Sequence, residues 1–149
     1  MKLVLFLALF FPALCHSETE SNFIQIETPH IRFLPPGSPN TAAYMTLTNN
    51  SEKEISLVGV ETDLSKKAEF HTHQNMNGQL KMIQVDKIKI PARSKVILKP
   101  GGDHIMILDL KKNLHESQRA NLTLIYADQS KKTIAAPVQK IQSGGHTTH

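Results

Sequence analysis

The chain has 149 residues, with 17 Lys and Arg against 13 Asp and Glu, eight His, five Met, no Trp and a single Cys. This length suits one packed domain, and one thiol excludes a disulfide framework. The formal net charge of +4 is dispersed among acids in short pairs such as Lys66-Lys67, Lys111-Lys112 and Lys131-Lys132, which reads as a solvated surface and not as a nucleic-acid interface.

The first element is a leader. Met1-Lys2 is followed by an unbroken apolar run over residues 3–14 and then by the polar stretch His16-Ser17-Glu18-Thr19-Glu20. A run of about twelve residues matches the apolar core of a secretory signal and falls short of the ~20 that a spanning helix needs. Cleavage is expected after Cys15 or Ser17, releasing an exported protein with no lasting membrane insertion. A lipoprotein reading would acylate Cys15 itself, but Leu14 is the wrong size for that processing. In the two cleavage readings the only cysteine is lost, so the remaining domain, residues 18–142, must be held by its core alone.

From there the apolar pattern has period two. Alternating segments occupy 24–27, 44–48, 55–60, 67–73, 79–85, 87–90, 95–98, 104–108, 120–126 and 132–138. Turn formers divide many of them: Pro35-Pro36-Gly37, Asn49-Asn50-Ser51, Asn77-Gly78, Pro100-Gly101-Gly102 and Asp128-Gln129-Ser130. Short strands at this spacing predict an all-β sandwich or barrel. No long segment keeps a helical stripe, beyond a turn near 111–117. Residues 143–149, with Gly144-Gly145 and no apolar side chain, are expected to form a flexible tail.

The chemistry concentrates in histidine and methionine. Alternation along His104-Ile105-Met106 sends His104 and Met106 to one face and Ile105 to the core. Two strand steps of ~3.3 Å separate their backbones by about 7 Å, close enough for two long side chains to converge. Asn77-Gly78 is a strong two-residue hairpin signal, and counting outward pairs Met76 with Gln79 and His73 with Met82. His71 then shares the face of Met82 and lies diagonal to it. One hairpin and one neighbouring strand thus present His71, Met82, His104 and Met106 to a common point, with His73 and Met76 as auxiliary donors.

Imidazole and thioether together suit copper(I). Zinc prefers Cys, His and carboxylate, and calcium and magnesium prefer oxygen. A blue-copper electron carrier needs a cysteine that the exported chain lacks, so carriage of the ion is favoured over carriage of electrons. A lone methionine on a strand ordinarily packs a core, but four donors at strand-compatible positions point further. Haem is the other class using His and Met, yet no C-x-x-C-H is present and aromatics are few. Neither a nucleophile elbow nor a framed pair of acids suggests an enzyme. A structural or interaction β-sandwich is the alternative of a different class.

The spacing H-x10-M-x21-H-x-M from His71 through Met82 and His104 to Met106 resembles the signature of the periplasmic copper chaperone PCu(A)C family. The segments Asn40-Thr41-Ala42-Ala43-Tyr44-Met45-Thr46-Leu47-Thr48-Asn49 and Pro100-Gly101-Gly102-Asp103-His104-Ile105-Met106 resemble it as well, and the similarity covers residues 22–140. The resemblance implies a cupredoxin-like Greek-key β-barrel with copper(I) held at an exposed site by His71, Met82, His104 and Met106. It implies delivery of copper to a cytochrome oxidase subunit or another copper chaperone, with storage or resistance as the runner-up, by a protein expected to be monomeric. Two departures are Thr72-His73, where some members place a second methionine, and Ser117-Gln118, where many have Gly-Asp. His146 and His149 on the tail, with His73, are candidate ligands for copper(II).

Overall fold

The computed structural model describes residues 19–141. The signal segment with Cys15, and the tail histidines His146 and His149, lie outside the described residues. A single turn of helix, α1 (Glu20–Phe23), leads into ten strands: β1 (Ile24–Arg32), β2 (Thr41–Asn49), β3 (Ile55–Thr62), β4 (Lys67–Met76), β5 (Gln79–Val85), β6 (Ile88–Ile90), β7 (Lys95–Leu98), β8 (His104–Leu108), β9 (Arg119–Tyr126) and β10 (Lys131–Gln139). The expected all-β class holds, and the strand positions read from alternation agree with these bounds to within three residues, except that β1 runs five residues beyond the expected 24–27. No helix among the described residues is long and apolar enough to cross a membrane.

The strands form one hydrogen-bonded path, β5-β4-β8-β2-β1-β10-β9-β3-β6, with β7 also paired to β2. Every pairing is antiparallel except β1 with β10. Among the described residues β5 and β6 do not pair, so the ladder is open and the barrel expected from the resemblance does not close. Both ends of the path share one core. Leu47, Phe70, Ile105 and Ile107 meet Leu57, Leu122, Leu124 and Tyr126 there, all buried. At roughly 25 cal/mol per Å² of apolar surface, such a core can stabilise a domain of this size without a disulfide.

Two local features fix how the outer face is presented. Between Glu27 and His30 the β1–β2 register shifts, with Glu27 opposite Thr46 and His30 opposite Tyr44. One extra residue is accommodated there by a bulge in which Thr28 takes a positive φ of 49°. The bulge reverses the alternation and sets His30 beside Tyr44, ring centroids 5.5 Å apart. At the far end of β2 the buried amide of Asn49 donates to the carbonyls of Lys53 and Ile90, while its oxygen accepts from Ser51. This pins the turn after β2 to the end of β6. The turn suggested near 111–117 contains no helix; its Leu114 is buried in the core.

Candidate metal centre

The β4–β5 hairpin positions the first donors. Asn77 and Gly78 have φ of 54° and 83°, the left-handed pair that a two-residue turn matching strand twist requires. The Gly78 amide also donates to the side chain of Asn75 at 2.8 Å. Register follows from that turn: Met76 opposite Gln79, His73 opposite Met82, His71 opposite Gln84. On the other edge of β4, His71 lies opposite His104 and Glu69 opposite Met106. Met106 in turn pairs with Ala42 of β2. By period two, Glu69, His71, His73, Met82, His104 and Met106 all occupy the outer face of neighbouring strands. Met76 is three residues beyond His73 and therefore falls on the opposite face, half exposed, away from this group.

A cleft of about 320 Å³ opens on that face, lined by Arg32, Tyr44, His73, Met82, His104 and Met106 among others. His71 is not among the residues that line it; its ring lies 6.0 Å from that of His104. His73 and Tyr44 bring their rings to 5.4 and 6.3 Å from His104. These rings explain why His104 is only 3% exposed although it points away from the core. Met82, by contrast, is 47% exposed at the rim.

The hydrogen bonds settle which imidazole nitrogens are free. His104 Nδ1 lies 2.8 Å from the carbonyl of Gly102. A carbonyl only accepts, so Nδ1 carries the proton and the Nε2 lone pair is available. The Pro100-Gly101-Gly102 loop holds that carbonyl, with Gly101 at φ 76° and the Lys99 amide donating to Asp103. His73 Nδ1 is 3.5 Å from the same oxygen, too far for a good bond. His71 Nε2 lies 3.0 Å from Glu69 Oε2, and its Nδ1 is buried with no partner among the described residues. An orphaned buried lone pair is costly unless something fills it.

Electrostatics favour a neutral ring at His104. Burial pushes the pKa of His104 below its ordinary value, and repulsion from His73 and His71 adds to this against the opposing Gly102 carbonyl. The hydrogen bond from His71 holds the Glu69 carboxyl below its usual range. Burial raises the Tyr44 phenol, with Arg32 acting the other way. Among the described residues no three His, Cys, Asp or Glu side chains gather as an ion-holding group. The side chains this face offers to a soft ion are the imidazoles of His71, His73 and His104 and the thioethers of Met82 and Met106.

Comparison with known proteins places the chain. The LpqE-like profile, described as "Putative lipoprotein LpqE-like", matches residues 24–138. The chain belongs to the LpqE-like family. Among relatives of this LpqE-like chain is "Putative lipoprotein Lxx21020" of Leifsonia xyli subsp. xyli, 33% identical over 104 residues. That match covers 69% of the chain and 63% of the relative, so the LpqE-like chain spans less than two thirds of the relative's length. The solved copper-bound PCuAC domain from PmoF2 superposes with a TM-score of 0.68 at 27% identity, over 80% of this chain and 94% of that domain. The solution structure of CuI-DR1885 from Deinococcus radiodurans gives 0.62 at 35% identity, over 78% of each.

Sequence reasoning missed two neighbours of this face. Glu69 was hidden because a polar residue on a half-buried strand reads as surface. His30 was hidden because alternation cannot foresee the bulge at Thr28; the following Pro29 was the available signal.

Proposed function

We propose that this chain is a periplasmic metallochaperone that carries copper(I) on His71, Met82, His104 and Met106 and hands it to a partner. The observation that carries the reading is the donor set on one outer face. His71 Nδ1 and His104 Nε2 are unengaged, the thioethers of Met82 and Met106 stand on β5 and β8 of the same face, and among the described residues no thiolate or carboxylate cluster competes. Such a set favours a soft, monovalent ion. Solved structural relatives named for bound copper and for CuI, at 27% and 35% identity, support the same assignment.

Half exposure of Met82 supports transfer over storage. A rim ligand can be displaced by an incoming donor while the buried His104 still holds the ion. The acceptor we favour is a cytochrome oxidase subunit during assembly of its copper centre, reached directly or through another copper chaperone. The working unit is residues 18–142, released from its signal. His146 and His149 are the proposed second group, for copper(II), to which imidazole is well suited; copper(II) binding undiminished by deletion of 144–149 would remove that role.

Competition titration with a copper(I) chelator tests the main reading, paired with X-ray absorption of the loaded protein. Two sulfur and two nitrogen neighbours are expected, with weaker binding in Met82→Ala and Met106→Ala. Affinity unchanged in both variants overturns it.

A further inference from the structure

We infer that Glu69 is a positioning residue for His71, fixing the proton on Nε2 so that the ring meets the ion through Nδ1. The inference rests on the copper(I) reading above. Residues 69 and 71 are two apart on β4 and share its outer face. The carboxylate can only accept, so the 3.0 Å contact from Glu69 Oε2 to His71 Nε2 places the hydrogen on Nε2. The remaining nitrogen is then a bare lone pair, and it is the one found buried without a partner among the described residues. Glu69 is itself held: its other oxygen stands 3.5 Å from Lys67 Nζ, and the residue faces Met106 across the β4–β8 ladder.

The two histidines are therefore set differently. His104 is oriented through Nδ1 by a neutral carbonyl and offers Nε2, whereas His71 is oriented through Nε2 by a charged group and offers Nδ1. Two imidazoles and two thioethers bring no charge to a cation. Glu69 supplies one negative charge at the remove of a single ring, which raises the donor strength of His71 without occupying a coordination position.

Substitution at Glu69 in the purified protein tests this by two readouts. Two-bond proton–nitrogen NMR reports the His71 tautomer without metal, and chelator competition reports copper(I) affinity. Wild type should show a single Nε2–H form. Glu69→Gln, whose amide oxygen still accepts, should retain that form with a modest loss of affinity. Glu69→Ala should show mixed tautomers and binding about 10–100-fold weaker, with a metal-free melting temperature close to wild type. A His71 tautomer and an affinity both unaltered in Glu69→Ala overturn the inference. Failure of wild type to bind copper(I) would instead remove the copper reading, and the tautomer spectra would still decide whether Glu69 controls the proton.

Discussion

His71 on β4 stands directly opposite His104 on β8, and the rings lie 6.0 Å apart on the face turned away from the core. That facing pair depends on register. A slip of one residue along β4 or β8 would turn one histidine inward and bring Ile105 or Phe70 out to solvent. The core residues that alternate with the donors thus hold the site in place.

Ile105→Ala should show this coupling. Ile105 is fully buried between His104 and Met106. Truncation of a buried isoleucine costs about 2–5 kcal/mol through lost burial and the cavity left behind. Denaturant unfolding should give a midpoint shift of that size, with Ile105→Val costing roughly 0.5–1.5 kcal/mol. A loss below about 1 kcal/mol for the alanine variant would mean that β8 does not rely on this contact.

Met82→Ala should do the reverse. The side chain is 47% exposed, so its removal should leave unfolding free energy within about 0.5 kcal/mol of wild type. Copper(I) affinity should nevertheless fall, and X-ray absorption should count one sulfur fewer. Equal sulfur counts in variant and wild type would exclude Met82 from the coordination shell.

Much of this arrangement was legible in the chain because period two and a two-residue turn leave little freedom. Once Asn77-Gly78 is the loop, His73 must face Met82, and the observed ladder pairs them. Ile105 in the core and His104 and Met106 outside it follow from alternation alone. What could not be read depends on contacts between distant strands. The pairing of His71 with His104 requires β4 and β8 to be neighbours, although 32 residues separate those two histidines. The open edge between β5 and β6, the bulge that turns His30 outward and the hydrogen bond that makes Glu69 a partner of His71 likewise depend on the assembled sheet.

Gly78→Ala separates the turn from the site. A Cβ at Gly78 would meet nothing within 4 Å, so any cost arises from the backbone, which sits at φ 83°. A left-handed conformation costs a non-glycine residue about 1–2 kcal/mol, and a stability loss of that order is expected by denaturant unfolding. Register should persist, because the apolar face of β4 still specifies it, and copper(I) affinity should change little. A large loss of affinity at unchanged stability would show that the turn shapes the cleft more directly.

The pH dependence of the metal-free protein should carry the mark of His104. Its folded pKa is depressed by burial from the ordinary 6.5, while in the unfolded chain it returns to about that value. Above pH 6.5 both states are neutral at this position and it contributes nothing. As pH falls below 6.5 the unfolded state takes up a proton that the folded state refuses. Stability then decreases, with a slope from this one group of at most about 1.4 kcal/mol per pH unit, until pH reaches the folded pKa. Glu69 acts in a lower window: its depressed pKa gives stability that is present above 4.5 and lost as acid protonates the folded carboxylate. Urea unfolding between pH 7.5 and 5 therefore isolates the histidine effect from that of Glu69, and NMR titration of the His104 ring locates its midpoint. Neutral imidazole is the form that binds metal, so His104 should remain competent at pH values where an exposed histidine is already charged. A His104 midpoint at or above 6.5 would mean that the cleft solvates this ring, and copper(I) binding should then weaken in parallel with ordinary histidine protonation.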